Sequence, residues 1–487
     1  MLKIRRRNLV LISFQIALIV FDLCALKLLN KKIYGLNTWG LIGLINIVIS
    51  TATLCGIQQK IFTGINLFFL AFWLFQFGLP LLYLMNSQYE NYYISLFSSR
   101  IHVEAAKYTV ISIAAAAVGL SIGVLTNAHR GISKIITLGN LQTKFSTHKK
   151  AVARAGFLLF ILTAMIVIPV TTYAVIKQIL SGTYSTAYRD IMSQNNLFKF
   201  SQEFFYSSAL LCLCFEKRKY RRRLVATIFV IASVIMLLLA DRAQGLAGLL
   251  VLFFFQSFYS REQLSVKDER KKQRKFIIIV IVLAFIMEII AVARLNDSNV
   301  DGLLGMGLIG KVFEELGFNF TSICFVMDYI PGYSAFRYGA TYLASFVRLI
   351  PSSLDFLGVL SSPALELGES WLFNMNHAHK GDFLDFGVGF SIIAESYLNF
   401  SWLGLIIIPI ICICVAVILK MSRSSEWSEY VQIIMLMDLL LLPRRQFYAM
   451  LKSWEYSVLF MGIYLVGFIG LFKMKYRYNK NEDCNGI

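Results

Sequence analysis

The chain has 487 residues, of which 57% are hydrophobic and only 15% are charged. Because a soluble globular chain is about 25% charged, this composition excludes an ordinary soluble domain and indicates a protein with many membrane spans. The formal net charge is +19, but the basic residues occur in short clusters between apolar runs. That distribution argues against nucleic acid as a partner and indicates contact with membrane lipids.

Apolar runs cover most of the chain, and about twelve of them approach the ~20 residues that a helix needs to cross a membrane. The run 201–215 is short, the run 430–442 contains Asp438, and the run 390–419 is long enough for an amphipathic helix followed by a span. The predicted fold class is an all-α polytopic membrane protein with about twelve transmembrane helices and a large extracytoplasmic loop. The runs are centred near residues 19, 46, 73, 117, 165, 208, 232, 251, 285, 402, 435 and 464.

Basic clusters between the spans predict their orientation. An even number of spans separates successive clusters, so all of the clusters can lie on one side, which the positive-inside rule makes cytoplasmic. Both termini are then expected in the cytoplasm. The first span follows a basic segment but lacks a signal-peptidase cleavage site, so we interpret it as an uncleaved anchor. The clusters are residues 3–7, 130–154, 217–223, 261–275 and 473–480.

A long polar segment interrupts the apolar pattern between Arg294 and Phe386. Connections between packed helices usually have about 2–8 residues, so a segment of this length is expected to be functional or disordered. Its Phe, Tyr and Trp residues favour a folded loop, and we expect residues 297–367 to form a lid with helices along the membrane surface. The predicted divisions are 1–293 (transmembrane helices 1–9), 294–386 (extracytoplasmic loop), 387–473 (helices 10–12) and 474–487 (cytoplasmic tail).

Arginines on the predicted outer face are candidates for binding phosphate. Arg242 lies in a turn between two apolar runs, Arg294 ends the run before the long loop, and Arg189 lies in another outer loop. A guanidinium group keeps its charge and matches phosphate oxygens with two parallel hydrogen bonds. The alternatives are contact with lipid headgroups or a local ion pair, such as Asp241 with Arg242. Four more arginines are predicted on the same face, namely Arg337, Arg348, Arg444 and Arg445.

His377 and His379 lie near the end of the long segment. In an extended segment residues i and i+2 face the same way, so both rings are expected on one side. An imidazole suits a general base, while phosphate contact or a plain hydrogen bond within the loop are alternatives. A metal site would need Asp382 or Asp385 as a third ligand, and since no ligand spacing supports it we expect no metal. The chain contains no nucleotide-binding or cofactor motif, so we expect no cofactor and a substrate that supplies its own energy.

The segment after the histidines predicts the start of a helix at residues 387–391, where glycine permits a turn and apolar periodicity follows. Ser391, Glu395 and Asn399 recur every four residues, so they are expected on one face, with Trp402 nearby. A carboxylate near the hydrocarbon boundary is costly unless it is paired. Glu395 is therefore either structural, in a pair with an arginine, or a catalytic acid or base. In the second case it could also contact a sugar hydroxyl, with Asn399 and Trp402 adding hydrogen bonding and stacking against the acceptor sugar.

Together these features resemble the Wzy-type polymerases of O-antigen and capsular oligosaccharide repeat units, which are related to O-antigen ligases. The resemblance rests on the number of spans, the long loop before the last three spans, the turn with Arg242, and residues 387–404 (GVGFSIIAESYLNFSWLG). It implies the polymerase–ligase architecture, which is similar to that of GT-C glycosyltransferases.

The resemblance also implies a glycosyltransferase on the outer face of the bacterial cytoplasmic (inner) membrane. A growing glycan on undecaprenyl pyrophosphate would be transferred to a new lipid-linked repeat unit, driven by cleavage of the glycosyl–pyrophosphate bond. The family assigns such arginines to the pyrophosphate, which implies this role for Arg242 and Arg294, and it implies a histidine base at His377 or His379. The implied partners are the donor and acceptor glycans on undecaprenyl pyrophosphate, membrane lipids and a chain-length regulator protein.

Other functions remain open from the sequence. A flippase or transporter would use inverted repeats and a site at mid-membrane depth, but the two halves show no repeat and such carriers need no large outer loop. An O-antigen ligase would share the arginines and the histidine. A scaffold without activity in a polysaccharide assembly complex is a further alternative.

Overall fold

The computed structural model describes residues from most of the predicted apolar runs. The described residues are 6–29, 35–85, 97–126, 135–181, 196–238, 242–258, 271–275, 278–279, 282, 310, 313–314, 316–350, 365–380, 389–421 and 425–471. Regular structure within these ranges is helical, without any β-strand. This agrees with the predicted all-α class.

The helices of the described chain are numbered in sequence order. They are α1 (Arg6–Leu29), α2 (Leu36–Gln58), α3 (Gly64–Met85), α4 (Ser99–Leu125), α5 (Gly139–Thr147), α6 (Lys149–Ser181), α7 (Asn196–Phe215), α8 (Lys219–Leu238), α9 (Arg242–Phe258), α10 (Phe320–Tyr329), α11 (Ala340–Val347), α12 (Gly368–Lys380), α13 (Ile392–Phe400), α14 (Ile407–Leu419), α15 (Glu426–Leu441) and α16, which begins as Phe447–Trp454. Short 3-10 segments, Ser401–Ile406 and Leu442–Arg444, precede α14 and α16. A π-helical turn, Glu455–Phe460, lies within α16, which continues to Leu471.

Seven helical stretches in the described residues are long and apolar enough to cross a membrane. They contain the predicted runs near residues 19, 46, 73, 117, 165, 402 and 464, so the chain is a polytopic α-helical membrane protein. The runs near 208, 232, 251 and 435 form α7, α8, α9 and α15, which do not meet both conditions. Most of the run near 285 lies outside the described residues. The total of about twelve spans therefore stays a prediction.

The chain forms two compact units. The first comprises residues 1–129, 280–420 and 438–451, and the second comprises residues 130–279, 421–437 and 452–487. Each unit thus combines separate stretches of sequence. The four predicted divisions follow the expected topology in the membrane and stay a prediction.

The first unit contains α4, in which residues 105–117 are all buried. Small residues allow α14 to approach it closely. A Cβ atom on Gly119 would lie 2.4 Å from the carbonyl oxygen of Pro409, and one on Gly123 would lie 2.6 Å from the Cβ of Ala416. Small residues are typical of helix contacts in membranes, because close packing, rather than the exclusion of water, favours association there.

Part of the predicted outer loop is folded into the first unit. Most of α10 is buried, and the rings of Phe325 and Phe97 lie 4.6 Å apart. Gly317 approaches α3 so closely that a Cβ atom would meet the backbone nitrogen of Leu79 at 2.4 Å. The described residues of this segment are therefore folded, whereas the large extracytoplasmic loop stays a prediction. Residues 317–329 pack against α3 and α4, and the expected lid along the membrane surface stays a prediction.

The span formed by α13 and α14 is interrupted. Ser401 follows α13 with φ 54° and ψ −139°, and a 3-10 segment leads to α14. The interruption frees the last carbonyl groups of α13. The oxygens of Leu398 and Asn399 accept 3.0 Å hydrogen bonds from the backbone N–H groups of Arg337 and Tyr338, respectively. Backbone N–H groups of the protein thus form hydrogen bonds with carbonyl groups that lipid could not satisfy. The expected two-part run is confirmed as two helices.

The second unit contains a helical hairpin made by α8 and α9. Residues 239–241 separate the two helices. Gly245 lies against α8, because a Cβ atom there would meet the carbonyl oxygen of Ser233 at 2.6 Å. The predicted pair of apolar runs around the Arg242 turn is confirmed as two packed helices.

The π-helical turn of α16 is held by two other helices of the second unit. The hydroxyl of Tyr430 in α15 donates a 2.6 Å hydrogen bond to the carbonyl oxygen of Ser457. The side-chain oxygens of Ser457 and Ser207, a residue of α7, lie 2.8 Å apart. A π turn interrupts the regular hydrogen bonds of an α-helix. The tyrosine therefore supplies a donor to a carbonyl group at the interruption.

Candidate functional site

Helix α13 begins where the sequence predicts. Gly389 has φ +72°, a conformation that residues with a side chain rarely adopt. Ser391 is the N-cap, and its hydroxyl oxygen accepts a 3.1 Å hydrogen bond from the backbone N–H of Ala394. The same oxygen accepts a 3.1 Å hydrogen bond from the hydroxyl of Ser322 in α10. The cap therefore also joins α13 to α10.

Ser391, Glu395 and Asn399 share one face of α13, and each has 0% exposed surface. The predicted common face is thus confirmed. It meets α10 through Ser322 and α11 through Thr341. A face built from hydroxyl, carboxylate and amide groups is therefore enclosed by protein rather than presented to solvent.

Both carboxylate oxygens of Glu395 accept hydrogen bonds from the protein. Oε1 accepts a 2.9 Å bond from the hydroxyl of Thr341, and Oε2 accepts a 2.7 Å bond from the backbone N–H of Phe447. A buried carboxylate is costly without such donors. The partners of Glu395 are thus a hydroxyl and a backbone amide rather than the expected arginine. The catalytic role of Glu395 stays a prediction.

The amide of Asn399 uses both its oxygen and its nitrogen within the protein. Oδ1 accepts a 2.9 Å hydrogen bond from the backbone N–H of Gly339, while Nδ2 donates to Thr341 Oγ1 at 2.7 Å and to the carbonyl oxygen of Glu395 at 2.8 Å. With no exposed surface, Asn399 offers no support for the predicted sugar contact. Trp402 is half-buried and lies edge-on to a tyrosine ring of α4 at 5.4 Å, and its sugar contact stays a prediction.

The two candidate histidines lie on α12 rather than in an extended segment. Helical residues two positions apart point in directions that differ by about 200°. The expectation that His377 and His379 face the same way is therefore wrong. Both residues are exposed, but only one of them can face a given site.

His379 belongs to an aromatic cluster at the end of α10. Its ring lies 4.3 Å from that of Tyr333 and 5.6 Å from that of Tyr329. Tyr329 is buried and donates a 2.7 Å hydrogen bond to Oδ1 of Asn376 in α12, whereas Tyr333 is 64% exposed. We call Tyr329, Tyr333 and His379 the tyrosine–histidine platform. It combines a positioned imidazole with an exposed aromatic ring, which presents a large apolar surface with a polar tip.

The sequence placed two adjacent arginines of one turn among the outer-face arginines, but it did not distinguish them from the others. Residues 443–447, here called the arginine turn, lead from the 3-10 segment into α16. The turn contains Arg444 and Arg445, both half-exposed. Its signal in the sequence is a proline followed directly by two arginines between two apolar runs. That signal placed the arginines on the outer face but did not show what surrounds them.

Polar side chains link the arginine turn to three helices of the first unit. Gln76 of α3 donates a hydrogen bond to the first carbonyl group of the turn, and Glu395 of α13 accepts one from its last backbone N–H. Gln446, within the turn, accepts a 3.1 Å hydrogen bond from the backbone N–H of Glu369 at the start of α12. Gln76, Glu395 and Gln446 are all buried. The turn is therefore fixed from several sides.

A family model for the O-antigen polysaccharide polymerase Wzy matches residues 9–476. The chain belongs to this family. The match confirms the family resemblance, and it makes the chain a membrane-bound polymerase of the glycosyltransferase type with lipid-linked oligosaccharide substrates. No curated protein and no solved structure gives a match.

Side chains expected to bind pyrophosphate in this Wzy polymerase lie outside the described structure. Arg242 is the first residue of α9, but its side chain is not among the described atoms. The following turn of α9 is held by a 2.8 Å hydrogen bond from Gln202 to Gln244 within the second unit. The pyrophosphate roles therefore stay predictions. Four other predicted residues also lie outside the described ranges, namely Arg189, Arg294, Asp382 and Asp385.

Proposed function

We propose that this chain joins undecaprenyl-pyrophosphate-linked repeat units into a surface polysaccharide on the outer face of the bacterial cytoplasmic membrane. The Wzy family match over residues 9–476 carries the proposal. The apolar helices support it, since they allow a lipid-linked substrate to be reached from the membrane. Cytoplasmic termini and a chain-length regulator as partner belong to the same proposal and rest on the sequence.

The proposed reaction is a single displacement at the anomeric carbon of the donor glycan. The acceptor hydroxyl oxygen bonds to this carbon while the bond from the carbon to the pyrophosphate oxygen breaks. The hydroxyl proton passes to a base, and undecaprenyl pyrophosphate departs with the electron pair of the broken bond. No nucleotide or redox partner is needed, and the anomeric configuration is inverted.

We propose His379 as the base that accepts this proton. Its ring is positioned by Tyr333 and Tyr329, and a base contributes most when its orientation is fixed. A positioned general base typically contributes about 10²–10⁴-fold to the rate. His377, two positions earlier on α12, faces away from these tyrosines.

Arg242, Arg294 and Arg189 are proposed to bind the pyrophosphate group. Negative charge develops on the leaving oxygen in the transition state, and fixed guanidinium groups stabilise that charge. The support for these three residues is their predicted position on the outer face. Replacing Arg242 and Arg294 singly with Ala should shorten or abolish the polymer on a ladder gel. Normal long-chain polymer in both variants, at equal protein level, would remove the pyrophosphate role.

Purified full-length protein in lipid nanodiscs tests the function directly. The substrate would be lipid-linked repeat units extracted from a host strain that lacks this gene. The expected product is a ladder of glycans that remain on the carrier, with one undecaprenyl pyrophosphate released for each new link. Transfer of finished polymer to a different acceptor would instead identify a ligase. Movement of substrate across a sealed bilayer without a covalent product would identify a transporter.

A further inference from the structure

We propose that the arginine turn and helix α11 form a binding site for the polyprenyl pyrophosphate part of a lipid-linked glycan. The identity of the ligand rests on the proposed function, whereas the site consists of residues of the first unit alone. Such a ligand has a strongly anionic head and a long apolar tail. The site accordingly needs a fixed cationic part beside an exposed apolar part.

The cationic part is the pair Arg444 and Arg445. Two adjacent guanidinium groups can contact several oxygens of a diphosphate, and neither loses its charge at physiological pH. The turn that carries them is anchored by Gln76, Gln446 and Glu395, which are 1%, 6% and 0% exposed. Because the backbone is already fixed, binding would order little more than the arginine side chains.

The apolar part is a stripe of exposed side chains on and just after α11. Leu343 and Phe346 are 58% and 55% exposed, and their spacing places them on one face of α11. Ile350, which follows the end of the helix, is 50% exposed. The ring of Phe346 lies 6.0 Å from that of Phe447, the last residue of the arginine turn. The stripe therefore begins beside the cationic part. An isoprenoid chain, which is apolar along its length, matches this stripe once its pyrophosphate lies on the arginines.

Glu395 joins the two parts of the site. One carboxylate oxygen binds Thr341 of α11, and the other binds the backbone N–H of Phe447. A second link between α13 and α11 is the 3.0 Å contact between the hydroxyls of Tyr342 and Ser396. Glu395 is thus a positioning residue, which sets the apolar stripe relative to the arginines without touching the ligand.

Glu369 places a negative charge beside the arginine turn, since its Oε2 accepts a 3.4 Å hydrogen bond from Nε2 of Gln446. The residue as a whole is exposed, yet desolvation of its carboxyl raises the pKa above the ordinary value, and the positive charges of Arg445 and Arg444 partly offset this rise. A bound pyrophosphate would be repelled by this carboxylate. Its removal should therefore strengthen binding, whereas removal of the arginines should weaken it.

Binding of a fluorescent polyprenyl pyrophosphate to full-length protein in phosphatidylcholine nanodiscs tests the site without any need for turnover. The double variant R444A/R445A should raise the Kd by roughly tenfold or more, since hydrogen bonds to charged groups are lost. R444K/R445K, which keeps the charge but lacks the planar fork, should have an intermediate Kd. E369Q should lower the Kd a few-fold. R6A removes an exposed arginine of the first unit at the start of α1 and should leave the Kd unchanged.

The control outcomes separate this site from an ordinary lipid contact. Unlabelled polyprenyl pyrophosphate should displace the probe, whereas phosphatidylglycerol at the same concentration should not. Equal competition by phosphatidylglycerol, or equal Kd values for wild type and both double variants, would overturn the proposal. The lysine variant and E369Q also guard against misfolding, since each preserves the size or charge of the side chain that it replaces.

Two modified substrates distinguish donor from acceptor binding. A repeat unit without its acceptor hydroxyl can serve only as donor, and one with a methylene bridge replacing the glycosyl oxygen can serve only as acceptor. The arginine variants should raise the KM for one of them and leave kcat nearly unchanged, and E395Q should do the same less strongly. If wild type polymerises and no variant changes either KM or Kd, the site is refuted while the function stands. If wild type binds the probe through the arginines but never polymerises, the proposed function fails instead.

Discussion

The hydroxyl of Thr341 donates a 2.9 Å hydrogen bond to Oε1 of Glu395, and neither residue has any exposed surface. The same hydroxyl oxygen accepts a 2.7 Å bond from Nδ2 of Asn399. One threonine therefore satisfies a carboxylate and an amide at once, and it does so from a segment that the sequence places in the long loop. The interrupted span depends on that loop for its polar partners.

Replacement of Thr341 by Val should destabilise the protein more than replacement by Ser. Val keeps the shape but removes the hydroxyl, so Glu395 and Asn399 each lose a buried partner at a cost of about 1–3 kcal/mol. Ser keeps the hydroxyl and loses one methyl group, which costs about 1 kcal/mol. Thermal unfolding in detergent micelles measures the difference. Equal midpoints for the two variants would show that the hydroxyl contributes nothing.

Replacement of Gly317 by Ala should also lower stability. The added Cβ would lie 2.4 Å from the backbone nitrogen of Leu79, and a helix backbone cannot move aside as a flexible side chain can. Overpacking of this kind costs about 1–3 kcal/mol. Gly332 offers a matched control, since a Cβ there would have nothing within 4 Å. A G317A variant that unfolds at the same temperature as G332A would contradict the close approach of this segment to α3.

Variants of the two histidines should differ in activity. H379F keeps a ring against Tyr333 and Tyr329 but cannot accept a proton, so the rate of polymerisation should fall by about 10²-fold or more. H377A should change the rate by no more than a few-fold. Rates from the nanodisc assay, compared at equal thermal stability, decide the question. A large loss in H377A with normal H379F would transfer the proposed base to His377.

The π-helical turn of the second unit predicts a role for Tyr430. Y430F removes the 2.6 Å hydrogen bond to the carbonyl oxygen of Ser457 and leaves that buried acceptor without its tyrosine donor, at a cost of about 1–3 kcal/mol. Y220F, at a position that is 76% exposed, should have no measurable effect. Unfolding midpoints and hydrogen exchange in α16 provide the comparison. Unchanged exchange in Y430F would mean that the π turn is stable without the tyrosine.

Local periodicity explains what the sequence could predict. Ser391, Glu395 and Asn399 are four residues apart, and helical geometry alone places them on one face. The apolar runs can also be predicted from local sequence, because a membrane span is long enough to be recognised without knowledge of the helices that pack against it. The break between α13 and α14 can be predicted locally too, because the apolar run 390–419 is longer than one span requires.

The partners of that face could not be predicted, because they are distant in the chain. Glu395 binds residues 54 positions before it and 52 positions after it, and no spacing rule connects such groups. The segment with the two histidines was expected to be extended, whereas it forms helix α12. A helical signal was nevertheless present, because Leu372 and Asn376, which are both buried in α12, are four residues or about one helical turn apart.

The two donors to Glu395 have a consequence for biogenesis. Thr341 is synthesised before the carboxylate and Phe447 after it, so a nascent chain inserts α13 with only one of the two donors made. The second donor arrives only with the arginine turn, 52 residues after the carboxylate. A polypeptide truncated ahead of Phe447 would therefore hold a half-satisfied buried carboxylate, and we expect the cell to degrade it even though helices α1 to α15 are complete.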